Sequence, residues 1–159
     1  MHPNAELLSR FYAAFAAHDG PTMASCYHPD ARFSDPVFPG LQGAEPGEMW
    51  KMLTSRAGDL RIEFRDVVAD DQAGSAHWEA WYTFSATGKK VHNVIDATFR
   101  FRDGKIVEHN DVFDLYAWTR QALGLTGLFL GWTPMVQNKV RATAGGQLRK
   151  WIEKTSQNA

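Results

Sequence analysis

The sequence has little cysteine and no long apolar run. Cys26 is the one cysteine among 159 residues, which excludes a disulfide within the chain and is typical of a reducing compartment. The N-terminus lacks a basic segment followed by an apolar one, so no secretory signal is predicted. The longest apolar run, residues 127–132, is far too short to cross a bilayer. We therefore predict a cytoplasmic protein and no membrane partner.

Neither sign of charge is in excess. The chain has 17 basic and 18 acidic residues, a formal net charge of -1, and no basic strip with interleaved aromatic residues, so no nucleic-acid partner is predicted. Neither GxGxxG nor a phosphate-binding loop is present. The six histidines are scattered without HExxH or paired spacing. We predict no cofactor and no metal.

Aromatic side chains are abundant. They make up 13% of the chain, with six Trp and ten Phe. The length fits one domain that buries most of its apolar surface. Such bulk suits a domain that encloses an apolar cavity, and it equally suits a plain aromatic core.

The most informative segment is residues 91–114, which predicts two antiparallel strands joined by an Asp103-Gly104 turn. On the returning strand, His109, Asp111 and Phe113 share one face, and the backbones of the first two lie about 6.6 Å apart. A strand that buries an imidazole and a carboxylate beside aromatic residues requires a physical reason. The pair either serves chemistry or forms a polar network with Asn93 that satisfies only itself.

The order of elements predicts an α+β fold. Helices are expected over residues 5–17 with Asn4 as N-cap, over 21–27 and over 46–56, and strands over 31–33, 60–68 and 75–86 before the hairpin. Helices followed by a meander favour a cone-shaped, curved antiparallel sheet wrapped around the N-terminal helices, with a central pocket.

The last 45 residues predict a helical extension. It begins with a helix up to Leu123, continues as a glycine-punctuated apolar connection over residues 124–132, and ends in a helix that Thr133 caps. Gly145-Gly146 should weaken or kink this helix. The extension could be a lid, a dimerisation arm or a helix resting on a membrane surface. Its narrow, alanine-rich stripe favours packing on its own domain.

Three segments carry a family resemblance: AAFAAHDG, CYHPDARFSDP and the FRFRDGKI hairpin that ends in VFD. In their order and spacing, residues 5–114 resemble the nuclear transport factor 2-like, or ketosteroid isomerase-like, superfamily, particularly its SnoaL-like branch. The resemblance implies a cone domain over residues 1–114 and an extension over 115–159. Its members include isomerases, dehydratases, epoxide hydrolases, polyketide cyclases and non-catalytic binding modules, so the fold does not settle the function.

The resemblance also implies site residues. Asp35, in Ser34-Asp35-Pro36, matches the general base of ketosteroid isomerases. The positions of their two oxyanion donors fall on Phe11 and Ala97, and removing even one such donor typically lowers the rate by ~10²–10³. This is therefore not a typical ketosteroid isomerase. The Arg and Asp of the family's epoxide hydrolases also have no match, since the pocket face reads Ile95 and Ala97.

Two functions follow as hypotheses. In the first, an apolar pocket binds a small, hydrophobic, oxygenated molecule for cofactor-independent acid–base catalysis of lyase, isomerase or cyclase type. Asp35 or His109 removes a proton and Asp111 orients the imidazole. The expected substrate-binding residues are Tyr12, Trp50, Tyr82, Asn93 and Phe113. In the second, the chain is a non-catalytic ligand-binding or protein-interaction module, and Asp35 only caps a turn.

The opposite face of the sheet carries polar residues and one tryptophan. By strand alternation this convex face holds His77, Glu79, Trp81, His92, Asp96, Arg100 and Arg102. In the family that the chain resembles, this face often forms a dimer interface. An exposed Trp81 among charged residues is consistent with such an interface. We predict a homodimer through it, against the alternative of a solvated face.

Overall fold

A computed structural model describes residues 1–158. Its helices are α1 (Pro3–Ala16), α2 (Gly20–Ser25), α3 (Glu45–Ser55), α4 (Leu115–Leu123), α5 (Leu125–Leu130) and α6 (Pro134–Gln157). Its strands are β1 (Tyr27–Ser34), β2 (Leu41–Gln42), β3 (Arg61–Ala69), β4 (Ala73–Phe84), β5 (Lys89–Arg102) and β6 (Lys105–Val112). The predicted α+β class, a curved sheet with helices, is confirmed.

The six strands form one sheet in the order β2-β1-β6-β5-β4-β3. Strands β3 to β6 make the predicted antiparallel meander. Strand β1, in contrast, runs parallel to β6, with Phe33 opposite His109, whereas an antiparallel sheet was predicted throughout. A parallel pair needs a long crossover rather than a tight turn. Because α3 and four strands separate β1 from β6 along the chain, no local turn signal marks this pairing.

The N-terminal helices begin slightly earlier than predicted. Helix α1 is capped by His2, whose Nδ1 accepts the Asn4 N–H at 3.0 Å. The predicted N-cap, Asn4, is instead buried within the helix and donates to the Asp70 carbonyl at 3.0 Å. Strand β1 is also longer than predicted, since it begins at Tyr27 rather than at residue 31. This extension places the Tyr27 side chain in the core.

The concave side of the sheet is filled by rings. Phe11 and Tyr12 from α1 are 0% exposed, and Trp50 from α3 and Trp78 from β4 are 3% and 7% exposed. These four rings pack edge-on or tilted against one another, with centroids about 5–6 Å apart. Phe11 also packs edge-on against His109, and Trp50 stacks on it. The predicted central pocket is therefore not confirmed at this depth of the cone.

The C-terminal segment differs from its prediction in one element. Residues 124–132, expected as an irregular connection, contain helix α5. This helix lies very close to α4, since a Cβ at Gly127 or Gly131 would overlap atoms of Thr119. The glycines thus serve close helix packing rather than a break in the chain.

Helix α6 covers the domain from the same chain. It starts after the Thr133 cap, as predicted, and continues through Gly145-Gly146 without a break. Its Leu148 is 2% exposed, and Trp151 Nε1 donates to Glu48 Oε2 on α3 at 3.0 Å. No helix of residues 1–158 is both long and apolar enough to span a membrane. A boundary at residue 114 between two units stays a prediction.

Candidate functional site

A histidine and a carboxylate meet in the core of the cone. His109 and Asp111, both on β6, are each 2% exposed, and His109 Nε2 lies 2.9 Å from Asp111 Oδ1. The rings of Phe99 and Phe33 cover the imidazole at centroid distances of 4.3 and 4.9 Å. Buried ionisable groups of this kind persist only when they are hydrogen-bonded. Strand alternation predicted that both side chains point inward, and they do.

Two residues extend this pair in a way that the sequence analysis did not predict. Tyr27 Oη lies 2.7 Å from His109 Nδ1 and accepts the Trp50 Nε1 hydrogen at 2.8 Å. Since the indole N–H can only donate, the phenol hydrogen is free to be donated to Nδ1. On the other side of the ring, Nε2 faces Asp111 Oδ1 and can donate a hydrogen to it. The result is an Asp111–His109–Tyr27–Trp50 chain of hydrogen bonds, and a role of Trp50 in binding a substrate stays a prediction.

Two polar atoms beside this chain have no hydrogen-bond partner among residues 1–158. They are Tyr12 Oη and Asp111 Oδ2, and both are fully buried. The other oxygen of Asp111 also receives the Trp78 Nε1 hydrogen, at a long 3.4 Å. Burial raises the pKa of Tyr12 well above its ordinary value, and the Asp111 charge raises it further. Tyr12 is thus a neutral hydroxyl with an unused hydrogen.

Asp35 follows β1 and adjoins the same cluster. The parallel register pairs Ser34 with Asn110, and its continuation sets Asp35 next to Asp111. Asp35 Oδ1 accepts the N–H groups of Val37 and Phe38 at 2.7 and 2.5 Å, which is the turn-capping geometry. Burial nevertheless raises the pKa of Asp35 to about 6, and the Asp111 charge acts in the same direction against the lowering by the Phe38 N–H.

The wider end of the cone holds the remaining candidates. Tyr82, Asn93 and Phe113 are half-buried on the inner side of the sheet. Tyr82 Oη accepts the Trp118 Nε1 hydrogen from α4 at 2.7 Å, and burial raises the pKa of Tyr82. Because these three side chains are only partly buried on an otherwise buried face, we refer to their surroundings as the mouth of the cone. The mouth thus holds three predicted binding residues, while Tyr12 and Trp50 lie deeper.

Two clefts border the sheet. One of about 690 Å³ is lined by exposed residues such as Arg32, Arg100 and Glu108, and its lining also includes Phe33, Phe99 and His109. A second of about 400 Å³ borders Trp81 and His92. Neither confirms the predicted apolar pocket.

The convex face carries its own network. His77 bridges Asp96 at 2.9 Å and Glu79 at 3.2 Å, and His92 reaches Glu79 at 2.7 Å. Trp81 stacks on His92 at 4.5 Å. These contacts satisfy a solvated face equally well, so the homodimer stays a prediction. Within residues 1–158, no group of three or more His, Cys, Asp or Glu side chains could hold a metal ion.

Sequence comparison identifies the family to which this arrangement belongs. The SnoaL-like domain family matches residues 8–109. The chain belongs to this family. Comparison with curated proteins found no significant match.

Solved structures share the fold of this SnoaL-like protein. TerC co-crystallised with polyporic acid is 21% identical, with a TM-score of 0.63 over 75% of this chain and 97% of TerC. An epoxide hydrolase of LEH-like type from M. tuberculosis is 18% identical, with a TM-score of 0.60 over 81% and 96%. AclR from Streptomyces galilaeus is 21% identical, with a TM-score of 0.59 over 70% and 89%. These identities support the shared fold alone.

Proposed function

We propose that this SnoaL-like protein is a cofactor-independent acid–base enzyme of lyase, isomerase or cyclase type. Its substrate is a small, hydrophobic molecule with a carbonyl or hydroxyl oxygen, which enters at the mouth of the cone. The observation that carries the proposal is Asp35, a largely buried carboxyl with a pKa of about 6 beside the His109–Asp111 pair. Catalytic bases work best when their pKa lies near the working pH.

Asp35 is the group best suited to move a proton. Its Oδ1 is occupied by two backbone N–H groups, which leaves Oδ2 to receive a proton from carbon next to a carbonyl. The electron pair of the broken C–H bond then forms a C=C bond while the carbonyl π pair moves onto oxygen, which gives an enolate. Where this enolate is conjugated with a second C=C bond, return of the proton to the far carbon completes an isomerisation. At neutral pH most Asp35 carboxyls are ionised and ready to accept.

His109 fits a positioning role better than a direct one. Both ring nitrogens are already hydrogen-bonded, to Tyr27 and to Asp111, and the side chain is closed off by rings. The Asp111 charge adds to burial in keeping the Asp35 pKa high. Tyr12, with its unpaired hydroxyl, is the donor that a substrate oxygen would meet if the mouth opened inward.

The second candidate is a non-catalytic binding module. The packing of Phe11, Phe33 and Trp50 around His109 favours it, because these side chains are 0–3% exposed and leave little room for a ligand at that depth. In this case the polar chain would stabilise the fold and nothing else.

Proton exchange distinguishes the two without knowledge of the substrate. Wild-type protein is incubated in D₂O with hydrophobic aryl ketones that carry C–H bonds next to the carbonyl, and loss of these C–H signals is followed by NMR. We expect accelerated exchange of at least one compound, reduced by about 10²-fold or more in Asp35→Asn. Asp30→Asn is the matched control, since Asp30 is an exposed carboxyl on β1, the strand that Asp35 follows.

The alternative has a distinct outcome. Saturable quenching of tryptophan fluorescence by a compound whose C–H exchange is not accelerated would support the binding module. Equal exchange by Asp35→Asn and wild type would remove Asp35 from the mechanism.

A further inference from the structure

An exposed apolar ridge stands on helix α5 and the start of α6. We define the ridge by its six large side chains and their exposed fractions: Leu125 72%, Leu128 44%, Phe129 67%, Leu130 43%, Trp132 65% and Met135 70%. With roughly 150–250 Å² for each of the two aromatic side chains and less for each of the four aliphatic ones, the exposed fractions amount to on the order of 600 Å² of apolar surface, the upper end for a monomer. So large a patch calls for an occupant.

The ridge faces outward because the small residues of α5 face the protein and its large apolar residues face away from it. Gly127 and Gly131 form its inner side and pack directly on Thr119 of α4, where no Cβ would fit. Leu125, Leu128 and Phe129 are spaced as neighbours on a helix surface and occupy the opposite side. The small residues therefore hold the helix down and the large ones project from the protein.

Positive charge surrounds the ridge. Lys89 lies against Gly124, just before α5, the Arg120 guanidinium lies 5.0 Å above the Tyr116 ring, and Tyr116 itself donates to the Leu128 carbonyl at 2.8 Å. Lys139 is exposed one turn beyond Met135 on α6. Residues 115–152 contain no Asp or Glu.

The charge of the whole C-terminal segment has the same sign. Residues 115–159 hold six basic and one acidic residue, a formal charge of +5, whereas residues 1–114 hold eleven basic and seventeen acidic, a charge of −6. The net charge of the whole chain is close to zero, but the apolar ridge lies on the segment with the positive charge. Aromatic and leucine side chains flanked by Lys and Arg are the composition that inserts into anionic lipid interfaces.

We propose that the ridge docks on an anionic phospholipid surface, with Phe129 and Trp132 entering the headgroup region and Lys89, Arg120 and Lys139 contacting lipid phosphates. This surface docking needs no spanning helix. No membrane partner was predicted from the sequence, because its longest apolar run is short and the apolar stripe of α6 is narrow. The ridge arises instead from α5, which lies in a segment that was predicted as a connection.

A second copy of the chain fits the ridge less well. A two-fold contact would place the same patch against itself. Lys89, Arg120 and Lys139 would then face their own counterparts, and like charges across an interface are costly. A lipid surface of negative charge removes that conflict.

Vesicle co-sedimentation of the full chain tests the proposal. We expect binding to phosphatidylcholine vesicles that contain about one third phosphatidylserine, little binding to phosphatidylcholine alone, and weakening as salt is raised. The double variant Leu125→Ser/Phe129→Ser should lose about tenfold or more in partition coefficient. The matched control Val68→Ser/Val112→Ser changes two exposed apolar residues elsewhere, 64% and 59% exposed, and should bind as wild type does.

Two results would overturn the proposal. The first is equal sedimentation of wild type and of the Leu125→Ser/Phe129→Ser variant with anionic vesicles, with both variants folded by circular dichroism. The second is a self-association seen by light scattering that the ridge variant abolishes, in a protein that does not bind vesicles. That outcome would assign the ridge to a second copy of the chain.

Discussion

Replacing Asp35 with asparagine separates a catalytic carboxyl from a turn cap, because the two roles give opposite effects on stability. Burial raises the pKa of Asp35 from 3.8 to about 6. The folded protein therefore binds this proton more tightly than the unfolded chain does. The stabilisation is fully present below about pH 4 and is lost as pH rises through about 6.

The size of the effect follows from the shift. A difference of about two units corresponds to roughly 3 kcal/mol, which partial exposure of the carboxyl reduces to about 2–3 kcal/mol. The substituted asparagine would keep an oxygen that accepts the Val37 and Phe38 N–H groups and would carry no charge. Asp35→Asn should therefore match wild type near pH 4 and exceed its free energy of unfolding by about 2–3 kcal/mol at pH 8.

Urea unfolding at a series of pH values measures this difference directly. Subtracting the two proteins at each pH cancels the titration of all other groups, and Asp30→Asn should show no comparable trend. A variant that is less stable than wild type at pH 8 would refute the reasoning, because the carboxylate would then be stabilising its turn. A constant difference across the pH range would show that the Asp35 pKa is not raised.

Three further changes test the packing around the site. Tyr27→Phe leaves His109 Nδ1 and Trp50 Nε1 without a partner and should lower the melting temperature by roughly 5–15 °C. Tyr116→Phe, which removes a surface hydroxyl, should change the melting temperature little. Equal melting curves of the two variants would disprove the polar chain. Leu148→Ala should cost about 2–5 kcal/mol in urea unfolding against almost nothing for the exposed Met135→Ala, and a small loss would mean that α6 does not cover its own domain. Gly127→Ala should destabilise, reversing the gain of up to about 1 kcal/mol usual for this change in a helix, and a stabilised variant would contradict the close α4–α5 contact.

The catalytic and the structural interpretations of His109 and Asp111 assume the same hydrogen bonds. They differ in the role that they assign to Asp35. In either case His109 and Asp111 are held by Tyr27 and Trp78. Only catalysis requires the adjoining carboxyl of Asp35 to keep an unfavourable charge. A stability cost at that one position is the sign expected of a functional group.

Local patterns in the sequence were enough for most of the elements. The Asp103-Gly104 turn, the alternation along β5 and β6 and the Thr133 cap lie within a few residues of what they specify, so the hairpin, the inward direction of His109 and the start of α6 were predicted. Element ends were less accurate, as at α1, where His2 rather than Asn4 is the cap.

The tertiary structure decided the partners. Tyr27 meets His109, 82 residues away, through a parallel β1–β6 pairing that no local turn signals, and the same register brings Asp35 beside Asp111. The aromatic side chains could either enclose a pocket or fill it. Which of the two occurs depends on how rings from α1, α3 and β4 pack together, and the amino-acid composition does not predict that packing. The ridge likewise arises because Gly127 and Gly131 can approach α4 and larger residues cannot. The sequence alone therefore determined most of the helices and strands and the faces that they bury, since these depend on neighbouring residues. Helix α5 and its ridge depend on packing against α4, and the site depends on contacts between distant segments.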